Sequence, residues 1–247
     1  MVGYVHKKYE SHQEEIEKIV SSFDERGNQI KDARNKLKLF DLKGQTVNIK
    51  SFKVPNLINK LVYKFFRKGK AQRSFEYASK LIEMGIGSPQ PIAYYKEESI
   101  LFLKKSFYVS EHLDYDLTYR ELIHDFNYPD WENILRAFTR FTFKLHEKGV
   151  YFLDHSPGNT LIKRKEQDYE FYLVDLNRMK FKSLTYNERI KNFDRLSKHE
   201  NMVRIMSDEY AKCINKNPNA VFDLMWKYTN QFRTKIRRKK NLKKKFK

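Results

Sequence analysis

The sequence predicts an α+β, bilobal chain, with a small sheet-rich half first and a mainly helical half behind it. Three observations carry this. Between Leu37 and Ser110, short alternating segments surround one strongly helical stretch; from Asp130 onward, apolar residues recur every three or four positions; and 247 residues with 40% apolar and 15% aromatic content suffice for a substantial core.

Taken in order, Leu37–Phe52 reads as a hairpin. Leu37–Leu42 alternates apolar and polar residues, Lys43-Gly44-Gln45 turns, and Thr46–Phe52 alternates again, with Lys50 on the second strand. Asn56–Lys68 follows Pro55 and reads as a short helix capped by Asn56, apolar on one broad side and basic on the other. Lys70–Met84 places Ala71, Phe75, Ala78, Leu81 and Ile82 at helical spacing and stops at Gly85, so Glu76 falls mid-helix. Ser88–Tyr95 reads as a loop, and Ile100–Leu103 and Ser106–Ser110 as two more strands. In the second half, Trp131, Ile134, Leu135, Phe138, Phe141 and Leu145 mark a buried helix, with Asp130 as N-cap and Gly149 as stop. Val150–Ile162 has strand-like ends around a polar, turn-rich centre. Phe171–Asn177 contains an apolar strand ending on Asp175, and Asn187–Phe232 reads as mostly helical.

No apolar run approaches the roughly 20 residues that span a bilayer, and the first ten residues lack the hydrophobic core of a secretory signal, so an intracellular protein is expected. The single cysteine, Cys213, permits no internal disulfide and has no neighbouring ligands that suggest zinc; it reads as a helix-packing residue. A formal charge of +19 implies attraction to phosphate-rich partners. Residues 233–247 carry ten basic side chains and no acid, leaving +9 on the rest of the chain. Both body and tail are therefore positive.

Phosphoryl transfer from ATP needs a lysine on the phosphates, an acid to partner it, a carboxylate beside the attacking hydroxyl and two oxygen ligands for magnesium. The chain offers all five in kinase order. Lys50 lies on a strand, Glu76 on the next long helix, Asp154 and Asn159 in one loop five positions apart, and Asp175 at the end of the following strand.

The wording around these residues resembles a known family. Val47–Lys50 resembles the Val-Ala-Ile-Lys strand of kinases, Leu145–Ile162 the catalytic loop, and Asp175-Leu176-Asn177 stands where Asp-Phe-Gly does. Leu81–Tyr94 and Val174–Phe181 resemble more specifically the Kdo/heptose lipopolysaccharide kinases of Gram-negative bacteria, over about Ile30–Leu196. The resemblance implies a protein-kinase-like fold, with an N-lobe at 1–107, a C-lobe at 108–232 and a basic tail at 233–247. It implies ATP- and Mg2+-dependent transfer to a sugar hydroxyl, Kdo or heptose, of the lipopolysaccharide inner core. Asp154 would be catalytic, Asn159 and Asp175 metal ligands, and Lys50 paired with Glu76 would hold the nucleotide phosphates. The implied partner is a lipopolysaccharide core precursor, met at the cytoplasmic face of the inner membrane.

Three departures stand out. Phe152-Leu153 replaces the His-Arg that precedes a kinase's catalytic aspartate, Asn177 replaces the flexible glycine, and the nearest candidate for a phosphate loop is Glu25–Asn28. The acceptor stays open between core sugar, protein and another small molecule, and a non-catalytic module docking RNA or membrane is the reading from a different class. The tail has three readings: a solvated end, an RNA contact, or attraction to anionic lipid or glycan phosphate. His155 reads equally as a substrate contact or a loop-orienting side chain, and His146 as a cation at a helix C-terminus. The Phe residues fall at core spacings. Glu111 and Asp114–Asp116 are candidates to touch adenine, ribose or acceptor.

Overall fold

The computed structural model describes residues 1–32, 35–53, 68–98, 103–166 and 168–245. The helix expected at Asn56–Lys68 and the strand expected at Ile100–Leu103 lie almost wholly outside them. Two compact units result, one of Met1–Asp114 with Asp175–Asn177, the other of Tyr115–Val174 with Arg178–Lys247. The strand Leu103–Glu111 runs across the expected 107/108 position.

The first unit is built on a six-stranded antiparallel sheet in the order β1-β5-β6-β4-β3-β2. Its strands are β1 (Val2–Val5), β2 (Asn28–Asp32), β3 (Asn35–Leu42), β4 (Gln45–Lys53), β5 (Pro91–Glu98) and β6 (Leu103–Glu111). The expected hairpin is β3–β4, closed by two residues that both have positive φ, Lys43 at 51° and Gly44 at 87°. That is the turn whose twist matches paired strands. Along β4, Val47 and Ile49 are buried in one core with Ile16, Val20 and Phe23. The last three come from helix α1 (Gln13–Ser21) and the turn after it.

Because strand side chains alternate, Lys50 faces the other side. It pairs in register with Tyr108, which pairs with Tyr94. The Tyr94 ring lies 5.5 Å from Phe75 of helix α2 (Lys70–Glu83). Lys50 thus faces the side of the sheet that α2 covers. Helix α2 buries Ala71, Phe75, Ala78 and Leu81 as expected, leaves Ile82 exposed, and ends before Gly85 at φ 65°. The segment expected as a loop, Ser88–Tyr95, is largely strand. Pro91 is tolerated because it opens β5, with a register shift between Pro91 and Ala93.

The second unit holds two small sheets, β10-β9-β7 and β11-β8, among helices. Its strands are β7 (Leu117–Thr118), β8 (Val150–Phe152), β9 (Thr160–Arg164), β10 (Tyr169–Leu173) and β11 (Met179–Phe181). Its helices are α3 (Tyr119–His124), α4 (Trp131–Glu147), α5 (Tyr186–Lys191), α6 (Glu200–Ile214) and α7 (Pro218–Lys245). Helix α4 is central: Ile134, Leu135 and Phe138 share one core with Met206 and Tyr210 of α6 and with Val221 and Met225 of α7. Asp130 precedes α4 but does not cap it. Its backbone is left-handed at φ 62°, and its carboxylate accepts instead from Asn133 and Tyr169. Residues 233–245 are not a detached tail, because they continue α7.

Candidate active site

In the first unit, β4 delivers Lys50 and the chain after β10 delivers Asp175. The Lys50 Nζ stands 2.7 Å from Asp175 Oδ1 and 5.3 Å from the Phe52 ring centroid. Asn177 Nδ2 donates to the same Oδ1 at 2.7 Å. Asp175 has φ 58°, a left-handed conformation that aspartate tolerates better than most residues with a side chain.

The expected Lys50–Glu76 pair is not formed. Both Glu76 oxygens accept from Lys68 at 2.9 Å, and Gln72, one turn earlier on α2, adds a third bond. This contact raises the Lys68 pKa. A short sequence separation favours this local cluster, and Lys50 is engaged by Asp175 instead.

Glu25–Asn28 does not form a phosphate cradle. Lys38, a buried side chain of β3, donates to the carbonyls of Phe23 at 2.7 Å and Arg26 at 2.8 Å, so this turn presents oxygens to a cation. Gly27, at φ 90°, lets the Phe40 ring lie against the turn. The hairpin position preceding β3–β4 is the β2–β3 connection, whose residues 33–34 lie outside the described ones.

In the second unit, β8 leads into a loop whose 3-10 turn, Pro157–Asn159, closes with Asn159 N–H donating to Ser156 O at 2.9 Å. Asn159 Nδ2 donates to the Asp154 carbonyl at 2.9 Å. This bond fixes the amide so that Oδ1 is the atom left to face a ligand. The β8–β11 pairing, Phe152 opposite Met179, draws Arg178 towards Asp154, 3.6 Å from its Oδ2. Arg195 binds Asp154 Oδ1 at 2.6 Å, and its guanidinium stacks on Phe232 of α7, 5.2 Å from the ring centroid. The Asp154 carboxylate therefore has one arginine at each oxygen.

Behind the loop, both histidines are buried. His155 packs among Phe138, Phe152 and Phe193, and burial first, then nearby His146, pushes its pKa down to about 3. Being fully buried, it supports the loop and does not reach substrate. His146 is not a helix-terminal cation, since burial lowers its pKa to about 4. Asn192 Nδ2 donates to the Phe152 carbonyl at 2.8 Å, so its Oδ1 is the atom 3.1 Å from His146 Nε2, which must carry the proton. His146 Nδ1 then accepts from Tyr210 OH at 2.7 Å. A neutral chain, Tyr210–His146–Asn192–Phe152, braces the start of the loop.

The other candidates resolve differently. Glu111 is engaged by Tyr9 and Lys8; Asp116 Oδ2 accepts from the Arg164 backbone at 2.7 Å; Asp114 is exposed. Among the described residues no three His, Cys, Asp or Glu side chains form a metal cluster, and no helix is long and apolar enough to cross a membrane. Magnesium is ordinarily held by one or two carboxylates with phosphate and water completing its shell, and Asp175 in the first unit and Asn159 in the second each offer a hard oxygen of that kind.

The lipopolysaccharide kinase (Kdo/WaaP) family matches residues 13–216. The chain belongs to this family. It is similar in fold to a solved structure described as WaaP in complex with acyl carrier protein, at TM-score 0.64 and 14% identity over 94% of this chain and 99% of that one. No curated protein sequence matches. The expected α+β, kinase-like fold is thus the fold found. As a member of a lipopolysaccharide kinase family, the chain is a phosphotransferase.

Proposed function

We propose that this Kdo/WaaP kinase transfers phosphate from ATP, with Mg2+, to a Kdo or heptose hydroxyl of the lipopolysaccharide inner core. The observation that carries the reading is the catalytic loop itself: Asp154 held by Arg195 and Arg178, with the Asn159 amide bonded to the Asp154 carbonyl. Asp154 positions the acceptor hydroxyl and receives its proton; its fixed carboxylate leaves little orientation to be found at the moment of transfer. Lys50 would hold the nucleotide phosphates, and Asp175 and Asn159 Oδ1 would hold the magnesium. Magnesium, when bound, neutralises phosphate charge and clamps the transferring group in line.

The family supports the acceptor class, and the +19 charge is in keeping with work beside a phosphate-rich membrane face, as a peripheral enzyme at the inner membrane would do. WaaP is recorded with an acyl carrier protein, so a carrier protein is a second candidate partner here. The test is radiolabel transfer from ATP to core oligosaccharide, protein and small sugars side by side. Label should enter the oligosaccharide and disappear in Asp154→Asn, with the magnesium-dependent thermal shift by ATP retained. Label on protein alone, or full turnover by the variant, rejects the reading.

A further inference from the structure

Helix α7 carries a second site. Along it, Arg233, Arg237, Lys240 and Lys244 are spaced by four, three and four residues, which stacks them on one face of the helix. With Lys198, from the turn before α6, they line a groove of 580 Å³. None of its lining residues is acidic. Asn230, Thr234 and Asn241 add neutral donors and acceptors between the cations, and Asn230 Oδ1 accepts from Arg233 at 3.1 Å. Phe232, also in the lining, is the ring on which Arg195 stacks, and Arg195 binds Asp154. The groove is therefore one side chain removed from the arginine that orients the catalytic carboxylate.

We infer that this groove binds the anionic saccharide portion of the acceptor, with the cations taking phosphate or carboxylate groups and the amides and hydroxyl taking sugar hydroxyls. The inference rests on the sugar-kinase reading and deepens it. A flat lipid surface would not enter a concave site, and the amides would have nothing to recognise there. Single-stranded nucleic acid would need open stacking platforms, whereas Phe232 already carries a guanidinium. Alternating charge and neutral donors suits a phosphorylated glycan, in which acidic groups and hydroxyls alternate along the chain.

The test uses the full chain and the double variant R237E/K240E, with R237K/K240R as the charge-conserving control and far-UV circular dichroism to check folding. The binding probe is deacylated, phosphate-bearing core oligosaccharide, with the phosphatase-treated oligosaccharide and phosphatidylglycerol vesicles alongside. Expected is a loss of about tenfold or more in oligosaccharide affinity and a matching rise in acceptor KM, with kcat and the KM for ATP unchanged and the control near wild type. Equal oligosaccharide binding by wild type and the reversed variant, no oligosaccharide binding by wild type, or a defect confined to vesicles overturns the inference. Oligosaccharide binding that is lost in the variant while the wild type transfers no phosphate keeps the groove and rejects the kinase reading, so the two fail separately.

Discussion

Acid should unfold this protein early, through the two histidines beneath its Asp154–Asn159 loop. Burial holds the His146 pKa at about 4 and the His155 pKa at about 3, both below the ordinary 6.5. As pH falls through 6.5 the unfolded chain takes up protons that the folded chain refuses, so stability falls with it. At pH 5 each histidine costs about 2 kcal/mol relative to pH 7.5, a figure set by the unfolded value as long as the folded one stays below about 5. Asp194 works in the opposite sense. Burial raises its pKa to about 6 against 3.8, so the folded state binds the extra proton as pH drops and regains about 1.5 kcal/mol over the same interval. Carboxylates held low, such as Asp208 beside Lys212 and Arg136, release their contribution below this window. The net expectation is a loss of about 2.5 kcal/mol between pH 7.5 and 5. Urea titrations followed by tryptophan fluorescence at several pH values measure it. His146→Gln should remove about 2 kcal/mol of that pH dependence, whatever it costs at pH 7.5. A stability that stays flat or rises from pH 7.5 to 5, or an unchanged slope in the variant, refutes the neutral-histidine account.

Three further outcomes follow from local geometry. Gly27→Ala should lower stability by about 2–3 kcal/mol, because its Cβ would meet the Phe40 ring at 2.4 Å in a left-handed backbone. Gly44→Ala, with the same sign of φ but nothing within 4 Å, should cost only about 1 kcal/mol, and equal losses in thermal melts would remove the steric argument. Arg195→Ala should lower kcat about tenfold while leaving the KM for ATP alone, since it frees one oxygen of a partly exposed carboxylate; partial recovery in Arg195→Lys separates positioning from packing.

Much of this was readable in one dimension because the signals were local. The β3–β4 hairpin announces itself by alternation around Lys43-Gly44, and α2 by its spacing up to Gly85. Asp154 and Asn159, five residues apart in the sequence, do meet in one loop, where the Asn159 amide bonds the Asp154 carbonyl. What escaped depends on contacts between distant positions. Arg195 lies 41 residues from Asp154 within no motif, and Arg178 reaches it only through the β8–β11 pairing. His146 occupies the last turn of α4, where a cation is ordinarily welcome, but that turn faces Tyr210 and Asn192 inside the core. Glu76 does fall within the expected helix, but its partner is Lys68, which is nearer along the chain than Lys50.

The order of the large sheet has a consequence for how the chain is made. Among the described strands β1 pairs with β5 alone, Val2 opposite Lys96, so it waits some ninety residues for its neighbour. At 5–20 residues per second this is a wait on the order of ten seconds, during which β3–β4 forms from adjacent sequence in microseconds. Assembly of the sheet therefore starts in the local hairpins around β3 and finishes with β1, which covers the edge of β5 last.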